Sequence, residues 1–224
     1  MHTRTIVRVA VVAGVAVWIA SATMAQQGNR LLAHAFPAKL LASPEACTTP
    51  EWPKEARRYE IEGMTALHFQ IGEDGSIEGA TVARTSSWKL LDEAALQSLV
   101  KCKFKPGMSA AERAKTFPVQ FVWSFSGPPS VRPQLVPDSC APSARFSKFQ
   151  AYNRNATARD GVLLRFLVNA KGEPFGVKAE AYGNDVEAGL AAADYVKTCR
   201  FAIDPDLPGE KTDTVFGRVL AIAK

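Results

Sequence analysis

Few residues in this chain have the types and spacing that chemistry needs. The histidines, His2, His34 and His68, do not cluster, and His68 falls on the polar side of an alternating run with no serine or cysteine nucleophile motif nearby. It reads as an exposed strand residue rather than a general base. Glu73-Asp74-Gly75 offers carboxylates of the kind that hold calcium, but the other spaced oxygen ligands of a calcium loop are missing, so the segment reads as a hairpin turn. Ser86-Ser87 stands where a helix begins and reads as its cap rather than as a nucleophile. No catalytic constellation is present, the chain is not read as an enzyme, and no cofactor is called for.

The remaining reactive residues are the cysteines Cys47, Cys102, Cys140 and Cys199. No pair has the short spacing of zinc ligands, so no metal site is expected. An even number of cysteines in an exported chain reads as a disulfide framework, and three pairings are open. An internal repeat selects among them. A shift of 97 places Leu67-His68-Phe69-Gln70-Ile71 on Leu164-Arg165-Phe166-Leu167-Val168, Gly75 on Gly172, Gly79 on Gly176, and Cys102-Lys103-Phe104 on Cys199-Arg200-Phe201. Cys47 and Cys140 precede the two copies at a shift of 93. Equivalent positions should make equivalent bonds, which gives Cys47–Cys102 and Cys140–Cys199. By loop entropy each bridge would stabilise its small unit by ~4 kcal/mol.

Export is read from residues 1–25, where Arg4 and Arg8 precede an apolar run, Val9 to Ala20, and small residues follow. This is the pattern of a signal peptide. The alternative is an uncleaved inner-membrane anchor, for which the run is short of the ~20 residues a spanning helix needs. The net charge of +5 comes with no Lys/Arg run interleaved with aromatics, so no nucleic-acid partner is expected.

The elements follow from periodicity. Residues 26–46 form a leader whose Leu31, Leu32, Phe36 and Leu40 pack loosely onto the first unit, 47–126. That unit reads as a short helix (Glu51 to Arg58), a strand through Leu67, Phe69 and Ile71, a turn, a second strand to Arg84, a helix from about Trp88 to Lys101, and a final strand, Phe117 to Phe125. Gly75 and Gly172 are read as positive-φ turns that would accept Asn better than Val. A proline-rich linker, 127–137, leads to a second unit, 138–224, with strands Val162 to Val168 and Phe175 to Tyr182, an Asn184 or Asp185 cap, a helix to Thr198 and a last strand near Val215 to Ile222. The fold class is α+β: two tandem small units, each a short helix, hairpin, helix and final strand in an antiparallel sheet. Three strands would leave each sheet with open edges, to which another chain can add a strand.

The first unit resembles the C-terminal domain of TonB-type energy transducers. The resemblance rests on Trp52-Pro53, Ala56, Glu62-Gly63, the strand ending at Ile71, Asp74-Gly75, Ser86-Ser87, Leu91-Asp92 with Ala94-Ala95-Leu96, and Cys102-Lys103-Phe104-Lys105-Pro106. The second unit shares it only through the repeat and is read as a degenerate copy. The resemblance implies a binding module, in which a peptide segment of an outer-membrane or periplasmic protein is gripped by strand addition. The apolar run holds no histidine and no long proline-rich spacer precedes Cys47, which makes the chain a stand-alone periplasmic relative.

The candidate edge is the final strand of the first unit: Phe117, Val119, Gln120, Phe121, Val122 and Trp123. Of Gln120 and Val122, one backbone N–H is expected to face a partner and the other the fold. Trp88, Trp123 and Phe125 could line a peptide groove, with core packing the default. A structural reading stands beside the binding one, in which edges pair between the two units or between protomers of a homodimer to build an envelope scaffold.

Overall fold

Leu67, Phe69 and Ile71 alternate with more polar neighbours, and in this computed structural model all three are fully buried along β1 (Gly63–Ile71), with His68 exposed on the opposite face. The structure describes residues 36–153, 160–180 and 186–222. The signal peptide read over 1–25, the leader before Phe36 and the Asn184 or Asp185 cap lie outside them. β1 turns into β2 (Ile77–Arg84), and β3 (Phe117–Trp123) pairs with the other side of β1, giving an antiparallel sheet ordered β2-β1-β3. α1 (Lys54–Arg58) follows Pro53. α2 (Lys89–Leu99) covers one sheet face with Leu91, Ala95 and Leu99, as its spacing requires. α3 (Ala110–Arg113), a single turn before β3, is held by a capping box between Ser109 and Glu112.

The start of α2 differs from expectation. Trp88, not a serine, holds the cap position and makes no side-chain cap bond. The corner is pinned from inside the helix: the Asp92 carboxylate accepts from the Thr65 hydroxyl at 2.6 Å, the Ser86 N–H at 2.9 Å and the Thr85 hydroxyl. Asp92 thus ties β1, the end of β2 and α2 together, and Ser86 serves as one of its donors.

β4 (Gln134–Leu135), within the segment read as the linker, pairs with β8 (Phe201–Ala202) of the second unit, whose separate sheet is ordered β5-β9-β6-β7. Its strands are β5 (Phe146–Ala151), β6 (Val162–Val168), β7 (Pro174–Ala179) and β9 (Thr214–Ala221), with α4 (Val186–Lys197) on one face. Cys47 is bonded to Cys102 and Cys140 to Cys199. The local turns match as well. Phe104 N–H donates to Gly75 O at 2.8 Å, and Phe201 N–H to Gly172 O at 2.9 Å. Both glycines have positive φ, and a Cβ on Gly75 would meet Phe104 O at 2.0 Å, one on Gly172 would meet Phe201 O at 2.4 Å. Any Cβ, that of Asn or of Val alike, therefore strikes a backbone carbonyl in addition to its φ preference.

Two features of the second unit depart from the sequence reading. Where the first unit places α1, the described residues of the second place a strand, β5. The last strand, β9, is consequently interior, paired with β5 on one side and β6 on the other, so it offers no edge.

The two units pack face to face rather than edge to edge. β6 is buried along almost its whole length because it faces α4 through Leu164, Phe166 and Val168 and the first unit through Leu163, Arg165 and Leu167. Trp88 sits between the units, 5.6 Å from the Tyr152 ring and 5.5 Å from Phe216. Tyr59 donates to Gly176 O at 2.8 Å, Arg58 forms a bidentate pair with Asp213 at 2.7 and 2.9 Å, and Arg165 bonds Glu55 at 2.9 Å and pairs with Glu180. Among the described residues no strand of one sheet pairs with a strand of the other.

Candidate protein-binding edge

β3 is placed by β1, with which it runs in unbroken register from Gly63 opposite Trp123 to Phe69 opposite Phe117. Val119, Phe121 and Trp123 point into the core and are buried, Phe117 is half-buried beside Phe69, and Gln120 and Val122 lie half-buried on the open face. Among the described residues no strand pairs with the other side of β3. The six residues named from sequence thus form one edge strand, offered through its backbone while its large side chains belong to the core. Trp88 and Trp123 are core residues. Phe125 alone of the three aromatics is exposed, at 43 %, and packs on Trp52 at 4.5 Å between ring centroids. The two line a cleft of about 300 Å³ with Glu51, Arg57 and Ser124, just beyond the end of β3.

Backbone direction follows from Pro118, a residue that sequence reasoning passed over. Proline has no N–H, and within a sheet it belongs where its nitrogen faces away from a partner strand. Opposite His68 in an unbroken ladder, Pro118 therefore turns its nitrogen away from β1. Residues two apart share a side, so Gln120 and Val122 turn N–H and C=O groups to the same free edge. The expectation that only one of them does so is corrected. Phe125, of opposite parity, donates its N–H back toward β1, to Glu62 Oε1 at 2.7 Å.

The second unit shows the same edge filled. Leu67 pairs with Val119 and Leu164 with Gly217, so β3 maps onto β9 at a shift of 98 and Pro118, Gln120 and Val122 correspond to Phe216, Arg218 and Leu220. These residues face β5: Phe216 O accepts from Tyr152 N–H at 3.0 Å, and Gln150 and Lys148 stand opposite Arg218 and Leu220.

Ionisable groups shifted from their ordinary values lie elsewhere. Burial pushes the Glu55 carboxyl up, but the hydrogen bond and charge of Arg165 outweigh it and hold it below the usual range. The bond from Arg58 holds Asp213 low. Both belong to the contact between units. No cluster of three His, Cys, Asp or Glu side chains able to hold a metal ion occurs among the described residues, and none of the described helices is long and apolar enough to cross a membrane.

No curated protein and no solved structure matches this chain. Residues 48–126 match the family described as Gram-negative bacterial TonB protein C-terminal, and the first unit is a TonB C-terminal-like domain.

Proposed function

We propose that the chain is a periplasmic protein-binding module whose first unit takes up an extended segment of an outer-membrane or periplasmic protein as a fourth strand on β3, and whose second unit is a degenerate copy with its edge already closed. The observation that carries this reading is the pairing of β3 on one side only, beside the equivalent β9 paired on both. Strand addition draws its affinity from main-chain hydrogen bonds, and the outward groups of Gln120 and Val122 supply them without rearrangement. Two disulfides fit an oxidising compartment, and the family match fits a Gram-negative envelope.

The test uses peptides enriched from a random display library on the purified protein. Gln120→Pro and Val122→Pro each delete one outward donor and should each abolish binding, with circular dichroism unchanged. Full binding by both folded variants would remove β3 from consideration. In the scaffold reading the occupant is a second copy of the chain, and sedimentation showing a dimer broken by the same two prolines would favour it.

A further inference from the structure

In the second unit β5 does more than pair with β9. Phe149 stands opposite Val219 and sends its ring inward, 5.6 Å from Phe166 and 5.4 Å from Phe201. It reaches them across Gly217. A Cβ at that position would lie 2.4 Å from the Phe149 ring and 2.3 Å from Gln150 O, so only glycine lets β5 seat its aromatic.

The corresponding place in the first unit is already occupied. Phe69 and Phe104 correspond to Phe166 and Phe201 at a shift of 97, and the ring that touches both, as Phe149 touches both of theirs, is Phe36, at 6.1 Å from Phe69 and 5.9 Å from Phe104, while Phe117 of β3 touches Phe69 at 5.8 Å. Val119, buried, stands where β9 has Gly217. Two independent differences therefore close the same seat: a leader residue fills it, and a β-branched side chain obstructs the way in. Phe36, Phe69 and Phe104 thus make their ring contacts with no strand added to β3.

We infer that Phe36 and Val119 are specificity-determining residues: together they restrict the strand that adds to β3 to one with a small side chain opposite Phe121, the position that Phe149 holds in β5. This rests on the edge reading of the proposed function. The outward backbone of β3 accepts a strand of any sequence, so selection needs a side-chain contact, and the closed seat provides one by exclusion.

The probe is the octapeptide Arg145–Tyr152, whose register on β9 is known, and the same octapeptide carrying Phe149→Ala. Both are titrated against the wild-type protein, Val119→Gly, and Phe36→Ala/Val119→Gly, the single variant guarding against loss of fold in the double one. The alanine peptide should bind wild type about tenfold or more tighter than the natural peptide, as expected for overpacking a closed seat. The double variant should abolish or reverse this preference, with Val119→Gly intermediate. Equal binding of the two peptides to wild type, or an unchanged preference in the variants, overturns the inference and leaves the open edge standing. Binding of neither peptide to any of the folded proteins overturns the edge reading itself, and the inference with it.

Discussion

The two units share a hairpin turn, a disulfide, a helix and a final strand, yet one final strand is open and the other is closed. The cause lies in the residues that follow the first cysteine of each. After Cys47 the chain reads Thr-Thr-Pro-Glu-Trp-Pro, and Pro50 and Pro53 withhold two N–H donors just before α1 begins. Three residues apart, they fall on opposite sides of an extended chain, so a partner on either side would lose a donor. After Cys140 the prolines stop at Pro142, and Phe146–Ala151 is free to pair along β9. The sheet backs differ in the same spirit. Ala66, His68 and Gln70 leave the first sheet's outer face open, whereas Leu163, Arg165 and Leu167 dock the second against α1 and Trp88. One unit is built to be covered by its own chain and the other to leave an edge available.

The most damaging way to break this contrast is to give β9 the residue of β3. Gly217→Val puts a side chain into Phe149 and Gln150 O, and should lift β5 off β9 at a cost of ~3 kcal/mol or more. A fall in melting temperature with new exchange at Arg218 and Leu220 would show it. Gly75→Ala should cost more than the ~1–3 kcal/mol of a left-handed alanine alone, because Phe104 O blocks the Cβ. Gly107→Asn, equally left-handed but with nothing within 4 Å, should be close to neutral in the same denaturant titration.

Within β3 the parity can be sharpened. Phe121→Pro removes a donor from the β1 ladder and should destabilise by ~3 kcal/mol or more, while Gln120→Pro should cost well under half as much in urea unfolding. Similar losses for the two would mean that the outward side has been misassigned.

The smallest effect is expected from acid. Glu55 and Asp213 are held below their ordinary values, so their contribution to the contact between units is complete above the unfolded carboxylate range, near pH 4, and fades as pH falls through the lower folded values. Thermal scans from pH 6 to 3 should show part of the acid loss disappear in Arg58→Gln, since Asp213 then titrates normally.

Much of this architecture was legible in the sequence. Strands β1, β2, β6 and β7, helices α2 and α4, and both cysteine pairings followed from periodicity and the repeat. The edge residues Phe117 to Trp123 were legible as a strand, though not which of their groups face outward; Pro118 carried that signal. β5 was missed because Phe-Ser-Lys-Phe-Gln-Ala does not alternate cleanly, a bulge between Phe146 and Lys148 breaking its period, and because the repeat led to the expectation of a helix there. The role of Phe36 was hidden because it joins the core through a ring cluster with residues far along the chain, which no local pattern records. Asp92 as the acceptor of three donors was equally non-local.

β3 is vacant where β9 is filled, and amide exchange in the free, dilute protein tests this within one molecule. Gln120 and Val122 should exchange quickly, and their equivalents Arg218 and Leu220 should be protected by the β5 ladder, by about a hundredfold or more. Addition of a bound peptide should slow Gln120 and Val122 to match. Protection of Gln120 and Val122 equal to that of Arg218 and Leu220 in the dilute protein without peptide would contradict a vacant β3, because the edge would then already be paired.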